Sequence, residues 1–181
     1  MDNPATPMLD NTILDSQARL AELKRLLVMD TADEVCYDDL TRLAAQICDT
    51  PIALISLIDD KRQWFKSRVG LLARQTPREF AFCAHAVAAH RSLLVEDAAS
   101  DPRFQHNPLV TGEPGIRFYA GALLMTRNGQ ALGTLCVIDR KPRTLTANQM
   151  EQLEFMARQV VEMLELRAQQ YGAPPAPGQA G

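Results

Sequence analysis

The sequence predicts an α+β fold: one largely antiparallel sheet with helices contributed mainly by the two ends of the chain. Three observations predict it. Two pairs of β-rich runs are joined by tight turns, at Asp59-Asp60-Lys61 and at Arg127-Asn128-Gly129, and adjacent strands joined this way pair antiparallel. Amphipathic periodicity of about 3.6 residues marks both ends, before Thr50 and after Thr146. A short run, Leu93 to Asp97, stands alone between the hairpins and supplies a further strand.

The elements follow in order. A first helix is expected from about Asp15, with Leu20, Leu23 and Leu27 on one face and Arg19, Glu22, Lys24 and Arg25 elsewhere. A second covers about 32–48 and stops at Thr50-Pro51. Ile52 to Asp59 is almost wholly apolar and reads as a central strand, and Gln63 to Val69 returns beside it. Thr76-Pro77-Arg78-Glu79 has the pattern of a capping box, opening a helix that contains Phe82 to Val87. Asp101-Pro102 is expected to cap a short helix through Phe104, ended by Asn107-Pro108. Phe118 to Met125 and Leu132 to Asp139 form the second hairpin around Asn-Gly. Thr146-Ala147-Asn148-Gln149 is a second capping box, and the helix it opens runs to about Tyr171. Its Met150, Leu153, Ala157, Val160 and Leu164 recur at three- and four-residue spacing. That seam suits a partner helix, including one from a second chain, or the chain's own sheet.

Composition narrows the function classes. The 181 residues carry 19 basic and 22 acidic side chains, a formal charge of -3, with 46% hydrophobic and 23% charged residues. Such a chain has no basic surface for nucleic acid and too much apolar content for disorder. No apolar run approaches the roughly 18 residues needed to cross a bilayer, and the Asp-rich N-terminus is not a secretory leader. Cys36, Cys48, Cys83 and Cys136 make no CxxC pair and match no zinc spacing, which fits a reducing cytoplasm. We therefore expect one cytoplasmic domain over 15–171, a flexible N-terminus over 1–14, and a Pro- and Gly-rich tail or linker over 172–181.

Several stretches now carry a resemblance. Arg62-Gln63-Trp64-Phe65-Lys66-Ser67-Arg68-Val69-Gly70-Leu71, Phe82-Cys83-Ala84-His85-Ala86 and Asp101-Pro102-Arg103-Phe104 are followed by Asn107 to Gly112, Ile116 to Ala122 and Leu132 to Asp139. In this order they cover most of the chain, and together they resemble a GAF domain of the bacterial sensory subgroup that precedes diguanylate cyclases and histidine kinases. The resemblance implies a six-stranded antiparallel sheet of the profilin-like type, with terminal helices on one face. The other face would hold a ligand pocket roofed by segments between Leu71 and Tyr119. It further implies a non-catalytic sensory role, dimerisation through the terminal helices, and signalling to a histidine kinase or diguanylate cyclase partner or to an effector domain outside this chain.

The candidate pocket residues are Trp64, Phe82, Cys83, His85, Asp97, Phe104, Asn107, Arg117, Tyr119 and Cys136. Cys83 and His85 would allow thiol chemistry if they faced each other, but residues two apart on a helix do not; a buried thiol and a hydrogen-bonded imidazole is the simpler reading. Arg117 either pairs with Asp97 or holds an anionic small molecule. Trp64 packs in the core or walls a pocket for a flat ligand. Phe104 and Asn107 lie where the resemblance puts the lid. His90, His106 and the Arg140-Lys141-Pro142-Arg143 run read as solvated. Two other GAF functions compete: free methionine sulfoxide reductase, for which Cys83 and Cys136 are the thiols, and a chromophore or haem sensor. The bilin-binding pattern has histidine directly after its cysteine, whereas here Ala84 intervenes. No Asn-Lys…Phe…Asp-Glu set for a cyclic nucleotide is present. No cofactor is specified by the residues.

Overall fold

The computed structural model describes Leu9 and residues 11–172; the expected N-terminal segment before Leu9 and the tail after Gly172 lie outside the described residues. Three helices come first: α1 (Asn11–Leu14), α2 (Gln17–Arg25) and α3 (Val35–Cys48). They are followed by β1 (Ile52–Ile58), β2 (Arg62–Val69), β3 (Gln75–Pro77), α4 (Phe82–Ala89) and β4 (Leu93–Val95). The chain then continues through α5 (Pro108–Thr111), β5 (Phe118–Met125), β6 (Ala131–Asp139) and α6 (Ala147–Gln170). The six strands make one sheet in the order β3-β2-β1-β6-β5-β4, with every neighbouring pair antiparallel. The α+β expectation is met.

The central strands β1 and β6 are buried along their whole length, because both faces of the sheet are covered. Strand alternation sends successive side chains to opposite faces, and two separate cores result. Leu23, Tyr37, Ala44, Ala53, Ile55, Leu57, Trp64, Leu135, Val137, Leu153, Val160 and Leu164 belong to the one beneath α2, α3 and α6. Leu14, Ile52, Leu54, Phe65, Phe82, Cys83, Phe104, Tyr119, Cys136 and Ile138 belong to the other, beneath α1, α4 and the long connections. A β-bulge shifts the register between β1 and β2, so that Ile55 faces Ser67, Ser56 faces Phe65, and Lys66 has no partner across the strand.

Local signals behave unevenly. Thr146 and Gln149 form the expected reciprocal cap of α6, with Gln149 N donating to Thr146 Oγ1 at 3.1 Å and Thr146 N to Gln149 Oε1 at 2.9 Å. Gly129 takes a φ of 75° in the β5–β6 turn, the left-handed geometry glycine tolerates without cost. Thr76, by contrast, does not cap a helix. Its backbone is paired with Gln63 in the edge strand β3 and its hydroxyl accepts from Gln63 Nε2 at 2.8 Å. A 3-10 turn (Arg78–Phe80) intervenes, and α4 begins only at Phe82. This is the sixth strand that periodicity alone misses, three residues long. Asn107-Pro108 opens α5 rather than closing a helix: Asn107 Oδ1 accepts from Leu109 N at 2.9 Å and proline occupies the first turn. Residues 102–106 form turns instead of the expected short helix.

The expected first helix forms as α2, preceded by a separate short helix α1 that the pattern did not announce, and its leucine face is only partly kept. Leu23 is buried, whereas Leu27 has a φ of 52° past the end of α2 and is 48% exposed. Arg19 lies on the inner side, 1% exposed. Its guanidinium donates to Leu14 O from Nε and Nη2 (3.0 and 2.7 Å) and to Ile58 O from Nη1 (2.8 Å). This side chain satisfies backbone carbonyls at the end of α1 and of β1 at once. The α6 seam covers the chain's own sheet: Leu153, Ala157, Val160 and Leu164 are all at or below 1% exposure within the helix-side core. These seam residues are therefore taken up within the chain.

Candidate functional site

Two cavities open on the face opposite α2, α3 and α6. The larger, about 590 Å³, is floored by Ile52 and Leu54 of β1, Gln63 and Phe65 of β2, and Ile138 of β6. Its roof is the 70–73 segment with Thr76, together with Leu109 of α5 and Ile116. Glu113, Pro114 and Arg140 complete its lining. The smaller, about 400 Å³, is lined by Leu9, Asn11, Arg78, Glu79, Phe80, His85, Arg103, His106, Asn107 and Pro108. Pro108 and Leu109, neighbours in α5, therefore serve different cavities.

The segment from Asn107 to Arg117 is held down in a defined way. Asn107 caps α5 and its Nδ2 donates to Phe80 O at 3.0 Å, tying the lid to the turn before α4. Arg117 Nη1 donates to the carbonyl oxygens of Val110 (2.9 Å) and Ile116 (3.0 Å). Nη1 is thus held by the lid's backbone. The expected pair with Asp97 does not form, because Asp97 closes its own turn, accepting from Ala99 N at 3.1 Å and Ser100 Oγ at 3.0 Å. On the sheet side, Gly70 makes the close turn possible: it has a φ of 74°, and a Cβ there would lie 2.0 Å from Pro51 O.

The structure gathers most of the sequence-derived candidates, but into a packed plug rather than a pocket wall. Phe82 and Phe104 stack with ring centroids 4.0 Å apart at 7°, and Tyr119 lies 5.2 Å from Phe82. His85 meets Phe104 edge-on at 4.7 Å. Tyr119 hydroxyl shares a hydrogen bond with Thr134 Oγ1 at 2.9 Å, and burial raises its pKa well above the usual phenol value. Cys83 and His85 point apart, as helical spacing requires. The Cys83 thiol turns inward and donates to Gln63 Oε1. His85 lines the smaller cavity. Burial, helped by the nearby Arg103 charge and opposed by Asp101, pushes its imidazole down to about 4, so it is neutral at physiological pH. Burial likewise pushes the Cys83 thiol up and the Cys136 thiol up to about 12.

Of the ten candidates, His85 and Asn107 line the smaller cavity and none lines the larger. Trp64 sits in the helix-side core, on the far side of the sheet from both. Its neighbour Phe65 is the residue that reaches the larger cavity. Gln63, Thr76, Leu109 and Arg140 were missed. Strand parity counted from Ile52 and Leu54 would have found Gln63 and Phe65. Arg140, read as solvated, is exposed but stands at the cavity's mouth with Nε donating to Pro114 O at 3.1 Å. Among the described residues no group of three or more His, Cys, Asp or Glu could hold a metal ion, and no helix is long and apolar enough to cross a membrane.

Comparison with known proteins agrees with this arrangement. The family described as "GAF domain" matches residues 17–164. A cyclic di-GMP phosphodiesterase of Pseudomonas aeruginosa is 47% identical over 160 residues, which are 87% of this chain and 27% of that protein. The chain thus spans about a quarter of the relative's length. Among solved structures, the GAF domain of an Acinetobacter phosphoenolpyruvate-protein phosphotransferase superposes with a TM-score of 0.64 at 18% identity, covering 87% of this chain and 98% of that one. A free methionine-R-sulfoxide reductase of Neisseria meningitidis, solved with its substrate, gives 0.60 at 15% identity, covering 84% and 89%. At these identities the likeness to solved structures concerns the fold alone. The sheet order, the two-sided core and the family match together place the chain: it belongs to the GAF domain family.

Proposed function

We propose that the chain is a non-catalytic sensory module that binds a small molecule in the 590 Å³ cavity and regulates an effector. The observation that carries this reading is the cavity itself, set between β1, β2 and β6 and a roof of loops and one short helix. Its volume falls in the range of small-molecule sites. The floor strands β1 and β6 also form part of the helix-side core, so a ligand that shifts them moves the surface on which α6 rests. The 47% identical relative supports an effector that turns over cyclic di-GMP, in the same polypeptide or as a partner. A histidine kinase or diguanylate cyclase partner belongs to the same proposal, as does a cytoplasmic setting. So does a homodimer through the terminal helices, for which Phe155 (54% exposed) and Leu166 (57%) offer contacts about three turns apart on the outer side of α6.

Thiol catalysis is disfavoured by the state of its candidate groups. A nucleophilic cysteine is an accessible thiolate, whereas Cys83 and Cys136 are buried thiols with raised pKa values. In the native protein at pH 8, Cys36, the exposed thiol of the four, is expected to react rapidly with a disulfide reagent and the other three only after unfolding. Rapid labelling of Cys83 would return the reductase reading.

Native mass spectrometry of the purified chain tests the sensory reading. Leu54→Trp fills the cavity from its floor. A small-molecule adduct on the wild type that the variant lacks, on a dimer mass, is the expected result. An adduct of undiminished occupancy on the variant removes the cavity as the site.

A further inference from the structure

The chemistry of the larger cavity narrows what it takes. Its walls are aliphatic, from Ile52, Leu54, Leu71, Leu109 and Ile138, with Phe65 the lone aromatic side chain among the lining residues. The rings that would sandwich a flat ligand are spent on one another: Phe82 is stacked on Phe104 at 4.0 Å and neither lines the cavity. The polar groups inside, Gln63 and Thr76, are bonded to each other at 2.8 Å, and Gln63 Oε1 also accepts from Cys83. A ligand that must satisfy many polar edges, as a nucleobase does, meets few free partners here. Charge is confined to the mouth, where Arg140 and Glu113 stand. Arg140 Nε donates to Pro114 O at 3.1 Å, which holds the guanidinium at the rim, and among the described residues its Nη1 and Nη2 make no hydrogen bond.

We infer that this cavity takes a single-chain amphiphile with an anionic head, of the medium-chain carboxylic acid class: the chain lies against the aliphatic floor and the carboxylate rests on Arg140. This rests on the sensory reading of the same cavity. Arg140 supplies the planar donor edge that a carboxylate accepts. Glu113 on the same rim repels a second negative charge, so a monoanion is preferred and affinity is held down by its presence.

Isothermal titration of the full chain with decanoate, 1-decanol and decylammonium, each below its aggregation concentration, separates the outcomes. Decanoate is expected to bind about tenfold more tightly than 1-decanol, with decylammonium weakest, and to gain roughly fourfold for each methylene added from octanoate. Arg140→Gln is expected to bring decanoate down to the 1-decanol level while leaving 1-decanol unchanged, and Glu113→Gln to tighten decanoate severalfold. Decylammonium binding as well as decanoate, or decanoate unaffected by Arg140→Gln, overturns the anionic assignment while leaving the cavity as a binding site. Binding of decanoate that survives Leu54→Trp, or no binding by any of the three probes, removes the amphiphile from this cavity; the adduct mass of the purified protein reports on the sensory reading separately.

Discussion

The two faces of the sheet are built differently. Under α2, α3 and α6 the side chains interlock: Ile55, Leu57, Leu135, Val137, Leu153 and Leu164 are all fully buried among one another. The other face is covered by short elements, α1, α4, α5 and turns, whose Phe82 and Phe104 form a plug with Tyr119 of β5 and leave two cavities beside it. Long helices bury a continuous stripe and close-pack, so that the cavity on their side, about 420 Å³, lies at the edge between α2 and the Asp59-Asp60 turn, whereas the short elements leave gaps directly over the sheet. One face therefore supplies stability and the other supplies a site. The lid is fastened by hydrogen bonds to backbone, from Asn107 and Arg117, contacts that can be exchanged at smaller cost than a hydrophobic interface.

Adjacent residues of β1 offer the sharpest way to break that contrast. Ile55→Trp overpacks the helix face and is expected to cost about 3 kcal/mol in urea unfolding, at the upper end for such insertions. Leu54→Trp, one residue earlier, enters the cavity and is expected to cost less than about 1 kcal/mol. Equal losses would mean that the cavity face is packed as tightly as its opposite. Arg19→Leu tests the junction where α1 is fastened to the sheet. Leaving Leu14 O and Ile58 O without their donor is expected to destabilise by about 2 kcal/mol, measured the same way, and a neutral effect would show the carbonyls to be satisfied otherwise.

The smallest effect is on pH dependence. His85 has a folded pKa of about 4, below its ordinary 6.5, so between these values the unfolded state binds the extra proton. Its contribution to stability is complete above pH 6.5, falls as pH drops toward 4, and changes no further below that. Urea midpoints measured from pH 7 to 4 are expected to fall less steeply for His85→Gln than for the wild type. An unchanged slope would place the imidazole in solvent.

How far the sequence could be read follows the same division. The helix face was legible, because β1, β6 and α6 are long and strongly patterned and the Thr146 and Asn-Gly signals are local chemistry that nothing overrides. On the cavity face, local signals lost to tertiary partners. Thr76 has a capping pattern, yet Gln63 claims its hydroxyl and β2 claims its backbone. Asp97 and Arg117 have opposite charges, yet each finds nearer partners in its own turn or lid. Trp64 drew attention by its size, while the site depended on the parity that sends Phe65 the other way. Arg19 reads as lying off the leucine face because nothing in a helical wheel announces the carbonyls of Leu14 and Ile58.

Native-state hydrogen exchange on the purified chain tests the central claim directly, that one face holds the fold and the other a site. Amides of β1, β6 and the middle of α6 are expected to exchange only through global unfolding, with free energies equal to that from urea. Amides of residues 108–116 and 75–77 are expected to open locally, at free energies several kcal/mol lower. Roof and helix face exchanging together at the global free energy would contradict the account.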